Sequence, residues 1–294
     1  MTTLSSQSIA PCLLAFSHHP FQLLNLGCGK TFQAAWHNVD LNPCSSEVRR
    51  LDLRKGLEFP DQVFDACYNS HVLEHLDPSE AIDSLSQMYR VLKPGGIVRI
   101  VVPDLEGVAR LYLQVLERVE AGDQSAEASY EWMQLEMLDQ ISRVQPGGRM
   151  KAIINQTQQT RHPFILSRLG AEFELYEQFV PKTIWQKVQT VQLGQMIRRL
   201  RNQIARRIVS VIAGRNAAEA FDEGLFRRSG EVHRWMYDRH SLKKLLQEVG
   251  FEEVKVCRAD ESGIPNFNDY ELDLYHGRMR KPDSLFIEAV RPRL

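Results

Sequence analysis

Apolar residues in this chain change rhythm twice. Up to residue 104 they come in short bursts, at 21–26, 36–40, 48–53, 64–69 and 97–102. Each burst is strand-length, and most are rich in Val, Ile, Leu or aromatic residues. That is the pattern of buried strands in a parallel sheet covered on both faces. A helix is well marked between the fourth and fifth bursts. Asp77 caps it, Pro78 suits its first turn, and Glu80 completes a D-x-x-E capping box. Its predicted apolar face is Ile82, Leu85, Met88 or Tyr89, and Leu92. Lys93-Pro94-Gly95-Gly96 stops it, because proline cannot continue a helix and glycine permits the turn.

From residue 105 to about 230 the spacing becomes helical and no strand is predicted. Leu111, Leu113, Leu116 and Val119 mark one helix, and Trp132, Leu135, Leu138 and Ile141 mark another. Alternation resumes near Tyr237, with a helix over 241–249 ended by Gly250 and strands over 253–257 and 285–289. The chain therefore divides into an N-terminal extension (1–20), an α/β core (21–104 and 231–294) and a mostly helical insertion (105–230) after the fifth of seven strands.

Composition narrows this picture only slightly. A chain of 294 residues holds one large domain, or a core with a sizeable insertion. Its 43% hydrophobic and 25% charged content is ordinary for a soluble protein, and a net charge of -1 argues neither for nor against nucleic acid. Cys12, Cys28, Cys44, Cys67 and Cys257 form no C-x-x-C pair, which disfavours a zinc ribbon or a thioredoxin-like motif and fits a reducing compartment. The apolar run at 9–16 has no Lys or Arg before it, so it does not read as a secretion signal. No run approaches the ~20 apolar residues that span a bilayer. The expected location is cytoplasmic.

The chemistry concentrates where strands end. Asn25-Leu26-Gly27-Cys28-Gly29 reads as a strand running into a tight turn, and Asn38-Val39-Asp40 as a second strand ending in a carboxylate. Glycines let the backbone approach a ligand, and an acid at the next strand end can bind vicinal hydroxyls, as in nucleoside cofactor sites. A dinucleotide fingerprint needs Gly or Ala at position 32, where this chain has Phe32. Its acid also lies ~20 residues on, whereas Asp40 follows Gly29 by only eleven. An NAD site is thus disfavoured. Asp52-Leu53 closes the third predicted strand, where it could accept from an exocyclic amine and pack on a purine. Asn69-Ser70-His71 closes the fourth.

Taken in order, Gly27-Cys28-Gly29, Asp40, Phe64-Asp65, His71-Val72-Leu73-Glu74-His75-Leu76 and Arg90-Val91-Leu92-Lys93-Pro94-Gly95-Gly96 resemble a class I S-adenosylmethionine-dependent methyltransferase of the type 11 branch. The resemblance covers about 21–104 and 231–294. It implies a doubly wound, Rossmann-like α/β fold whose seven-stranded sheet has the order 3-2-1-4-5-7-6 with strand seven antiparallel. It also implies S-adenosylmethionine as cofactor: Gly27 and Gly29 at its methionine part, Asp40 on the ribose, Asp52 and Leu53 at the adenine, Asn69 and Ser70 beside the sulfonium. The chain departs from the family in having Asn25 where many members carry an acid, in lacking the third loop glycine, and in its short first crossover.

His71 lies just past a strand end, near the expected methyl group, and could serve as general base. Asp104 and His233 are rival bases, and structural roles are open for all three. His71-x-x-Glu74-His75 also matches an inverted zinc-protease motif. With no obvious third ligand, no metal is expected there, and Glu74 and His75 read as helix-start hydrogen bonders.

Between residues 178 and 218 lie eight basic residues (Lys182, Lys187, Arg198, Arg199, Arg201, Arg206, Arg207, Arg215) and no acid, leaving the rest of the chain near -9. Met196-Ile197, Leu200, Ile204, Ile208, Val211 and Ile212 trace one apolar stripe at helical spacing. Such a helix over 196–212 could lie on the inner face of an anionic membrane, bind phosphates of a nucleotide- or lipid-linked substrate, or be a solvated lid. Nucleic acid is disfavoured because aromatics are not interleaved with the charge.

The sequence thus predicts methyl transfer to an oxygen or nitrogen of an acceptor, with a saccharide or glycolipid precursor favoured. Alternatives are a cofactor-binding but silent partner subunit, and an NAD- or nucleotide-sugar-dependent enzyme. The insertion is the expected acceptor pocket and lid.

Overall fold

A computed structural model of the chain describes residues 21–177 and 193–293. The apolar run at 9–16, Cys12, Lys182 and Lys187 lie outside the described residues, as do the side chains of Met196, Arg198 and Arg199. The strands are β1 (Leu23–Leu26), β2 (His37–Asp40), β3 (Val48–Arg50), β4 (Phe64–Ser70), β5 (Leu92–Pro103), β6 (Glu252–Cys257) and β7 (Ser284–Val290). They form one sheet in the order β3-β2-β1-β4-β5-β7-β6. Strands β1 to β5 are parallel, and β7 runs antiparallel to both β5 and β6. This is the expected order, with the seventh strand reversed.

Alternate residues build two cores on the two sheet faces. Leu24, Leu26, Cys67, Val98, Ile100 and Ile287 face helices α1 (Pro78–Val91) and α9 (Arg239–Val249). Leu23, Ala66, Tyr68, Val101 and Phe286 face the other way, onto Trp36 and the segment from Ala259 to Leu272. This second face is covered by irregular chain, a single 3-10 turn (Phe267–Tyr270) and a small hairpin pairing Leu274–Tyr275 with Arg278–Met279, which the sequence pattern did not announce. No helix joins β1 to β2, as the short spacing to Asp40 requires.

Two local readings need correction. Helix α1 buries Ala81, Leu85, Met88 and Val91, while Ile82 is exposed and Leu92 already belongs to β5. The buried stripe starts one residue earlier than the one read from Ile82. Glu80 does complete the capping box, accepting from Asp77 N at 3.0 Å. The third strand stops at Arg50, and Asp52 caps a 3-10 turn over Leu53–Lys55 instead of closing the strand.

The insertion is helical throughout its described part: α2 (Leu105–Glu120), α3 (Glu127–Ser142), α4 (Met150–Thr160), α5 (Pro163–Leu169), α6 (Ala171–Glu177), α7 (Leu193–Ala213) and α8 (Arg215–Arg227). It has its own core of Val108, Val115, Trp132, Met133, Met150 and Ile165. Leu113, Leu138 and Ile141, read from spacing as apolar-face positions, are exposed; Met133, Glu136 and Asp139 lie inside instead. Glu136 is admitted because the Arg168 guanidinium and the Trp132 indole N–H both bond its carboxylate.

Candidate active site

The carboxyl ends of β1, β2 and β4 meet in a cleft built largely from backbone. Gly27 has φ +69, and a Cβ there would stand 2.3 Å from Val72 Cγ2. Only glycine lets the β1 turn and the segment after β4 approach so closely. The turn is anchored by Gly27 N and Cys28 N, which both donate to Val39 O. Asp40 completes the cradle: its Oδ2 accepts from Gly29 N at 2.9 Å and its Oδ1 from Asn42 N at 2.7 Å. Its remaining lone pairs are available to a ligand with two hydroxyls.

Gly27, Gly29, Asp40, Leu41, Leu53 and His71 line a cavity of about 310 Å³. Asp52 lines it too, but Arg54 Nε and Nη2 hold its two oxygens at 2.9 and 3.0 Å. The Arg54 hydrogen bonds hold the Asp52 carboxyl below the usual carboxylate range. A second cavity, about 270 Å³, shares Gly27, Gly29 and His71 and adds Asn25, Ser70, Asp273, Lys281 and Ser284. A third, about 230 Å³, is roofed by the insertion through Gln140, Ile154, Arg168 and Phe173, and also reaches His71 and Lys281.

His71 is thus the one predicted site residue that touches all three spaces. It sits at φ +52, a left-handed conformation uncommon for a residue with a Cβ. Its Nε2 is 2.9 Å from Ser284 Oγ. Its Nδ1 is 3.1 Å from Glu74 Oε1, within ion-pair reach although neither Glu74 oxygen accepts a well-aligned hydrogen bond. A carboxylate opposite Nδ1 favours a proton there, which leaves the Nε2 lone pair facing the cavities.

The other predicted residues divide. Ser70 lines the second cavity. Asn69 lines none of the three; it is completely buried and its Nδ2 donates to Leu26 O at 3.0 Å, tying β4 to β1. Asp104 caps α2 by accepting from Glu106 N at 3.1 Å. His233 is buried, and burial lowers its pKa to about 3, so it stays neutral beside His75 and away from the three cavities. Sequence reasoning passed over Ser284 and Lys281. Their signal was available: an antiparallel last strand must begin at the edge where the parallel strands end, so residues preceding 285 face the cleft.

The cradle fits S-adenosylmethionine. The glycine turn leaves room for the methionine part, Asp40 presents acceptors for ribose hydroxyls, and Leu53 offers an apolar surface for the base. Residues 24–100 match the family model described as a methyltransferase domain. A curated relative, the probable methyltransferase ltbC of Aspergillus luteorubrus, is 40% identical over 48 residues, 16% of this chain and 17% of that protein. The matched stretch is thus a small part of the relative's length. Similar solved structures include a SAM-dependent methyltransferase from Archaeoglobus fulgidus (14% identity, covering 92% of this chain and 86% of that one, TM-score 0.36). Another is the Burkholderia thailandensis 1,6-didemethyltoxoflavin-N1-methyltransferase (22% identity, 30% and 47% covered, TM-score 0.26). The sheet order and the glycine cradle agree with that match: residues 24–100 are similar to a methyltransferase domain, set in a sheet and cradle suited to S-adenosylmethionine.

Proposed function

We propose that this chain transfers the methyl group of S-adenosylmethionine to an oxygen or nitrogen of a saccharide, carried as a glycolipid precursor. The observation that supports the reading is the position of His71, at the junction of the cofactor cleft and the cavity roofed by the insertion. When bound, S-adenosylmethionine supplies an electrophilic methyl on a sulfonium. The chain's work is then to hold the nucleophile in line, ~3 Å from that carbon. His71 Nε2 takes the acceptor's proton as the new bond forms. Gln140, Arg168, Lys281 and Asp283 give the third cavity a polar lining suited to hydroxyl-rich or phosphate-bearing groups.

The lipid part of the reading rests on α7. Ile197, Leu200, Ile204 and Ile208 are half exposed or more, and Val211 and Ile212 are 86% and 80% exposed. Arg201, Arg206 and Arg207 are exposed on the same helix. An unburied apolar stripe flanked by arginine matches an anionic bilayer surface, the stripe entering the headgroup boundary. Among the described residues no helix is long and apolar enough to cross a membrane.

Two measurements test this. Arg201→Glu/Arg207→Glu and Val211→Asp/Ile212→Asp should each abolish sedimentation with phosphatidylglycerol vesicles; binding unchanged in both sinks the membrane contact. Methyl-labelled cofactor incubated with lipid-linked glycan should yield labelled lipid. Label appearing only in protein or nucleic acid would contradict the acceptor class.

A further inference from the structure

Behind the cleft lies a buried cluster of which methyl transfer uses only one group, the Glu74 carboxylate opposite His71. Glu74 is completely buried; neither carboxylate oxygen accepts a well-aligned hydrogen bond, and Oε1 has only the His71 imidazole opposite it, Nδ1 at 3.1 Å. Beside it are His75 and His233, with one ligand-capable atom from each of the three within 4.8 Å of the others. His233 Nδ1 and Tyr237 OH are also buried without partners. Among the described residues no Lys or Arg pairs with Glu74; its one ion-pair contact is His71. A buried carboxylate without a counter-cation costs several kcal/mol, and unpartnered buried polar atoms each cost about 1–3 kcal/mol. Four such atoms in one place call for an occupant.

The hydrogen bonding of His75 indicates which kind. Its Nδ1 lies 3.3 Å from Val232 O. A carbonyl only accepts, so Nδ1 carries the proton and Nε2 keeps its lone pair. That is the usual arrangement of a metal-bound imidazole, whose other nitrogen donates to a carbonyl or carboxylate.

We propose that Glu74, His75 and His233 bind a divalent transition-metal ion of the zinc class. Two imidazoles and one carboxylate are a three-ligand set for zinc, with bonds of roughly 2.0–2.2 Å. Ligand atoms within 4.8 Å of one another need to draw in by roughly 1 Å to reach it. The proposed set differs from the one the H-x-x-E-H spacing suggests, which pairs His71 with His75: Glu74 takes the place of His71, and His233 comes from the return of the chain after the insertion.

The ion's role is structural. The same two segments are already joined by backbone: Arg234 N donates to Glu74 O at 2.7 Å, and His233 N donates to Gln140 O of α3 at 3.0 Å. A metal at this point fastens the end of the insertion to the turn that follows β4. Glu74 Oε1 still faces His71, so the ion also fixes the carboxylate that orients that imidazole.

The test uses the full chain, stripped with chelator and titrated with zinc, with Glu74→Gln and His233→Asn in parallel. One equivalent should bind wild type and raise its melting temperature. Each variant, its fold checked by far-ultraviolet circular dichroism, should bind at least about 10–100-fold more weakly. Cobalt(II) should give visible absorption of a low-symmetry site in wild type and lose it in the variants. Absence of binding to folded, stripped wild type overturns the proposal, as does equal binding by the variants. A variant that fails to fold leaves the wild-type titration and the cobalt spectrum to decide. None of these readouts needs an acceptor or cofactor, so failure here is separate from failure of the methyl-transfer reading.

Discussion

Arg99→Met is expected to lower the unfolding free energy by about 3–5 kcal/mol, the range for breaking a buried ion pair from one side. Arg99 on β5 is completely buried. Its Nε and Nη1 each reach a carboxylate at 2.7 Å, Asp273 and Glu288. The remaining donors go to the carbonyls of Arg258, Ala259 and Glu261, and the guanidinium lies 4.7 Å from the Phe267 ring centre and 5.5 Å from that of Phe286. Burial alone would lower the Arg99 pKa, but the two carboxylates outweigh it and keep the group charged. Methionine fills the volume and removes the charge, leaving two buried acids without a cation. Tyr68 OH, Ser262 and Gly263 N still donate to them, so the loss is partial.

The pH dependence follows in sign. In the variant, burial, which already holds the Asp273 carboxyl above the usual carboxylate range, acts with no guanidinium opposing it. The folded state then holds protons that the unfolded chain releases as pH rises through the ordinary carboxylate range, so stability falls with rising pH. The deficit should be larger at pH 8 than at pH 5 in urea unfolding followed by fluorescence. A loss below 1 kcal/mol that does not change with pH would show that the network is not what holds the second sheet face. Because Asp273 and Tyr68 line the second cavity, the same variant should loosen that wall.

The second large effect is on rate. His71→Asn should slow methyl transfer by about 10²–10⁴, the usual contribution of a positioned general base. Asparagine is chosen because it tolerates the left-handed backbone that His71 adopts at φ +52. It keeps a polar group facing Ser284 and removes the basic nitrogen. Cofactor affinity should change far less than kcat, since Asp40 and the glycine turn remain. Equal losses in cofactor affinity and turnover would assign His71 to binding alone. Glu74→Gln should give a smaller drop in kcat, because it weakens the orientation of the ring without removing it.

The strands were legible as short apolar runs, and their order through the family resemblance that the glycine turn, Asp40 and the motifs around the fourth strand carry; Asp40 follows Gly29 so closely that at most a very short helix fits between. The candidate cradle was legible because it consists of glycines and strand ends, features that are local in sequence. The burial of Asn69 was not legible: alternation along β4 points neighbouring residues to opposite sides, and Asn69 bonds Leu26 O within the sheet. Arg99 was hidden in an apolar run, where a single arginine reads as an exposed edge position. Its partners lie more than 170 residues away, joined only by the return of β7 and the loop before it. The cluster at Glu74 was half visible as H-x-x-E-H, but its third member comes from beyond the insertion, at a distance no spacing pattern encodes.

The most direct measurement is calorimetric titration of the purified chain with S-adenosylmethionine and S-adenosylhomocysteine, beside Asp40→Ala. Both ligands should bind in the micromolar range. The variant should bind roughly 100-fold or more weakly, as expected from losing charge-assisted hydrogen bonds to the ribose. Tighter binding of NAD than of either ligand, or unchanged affinity in a folded Asp40→Ala protein, would contradict the assignment of the cleft.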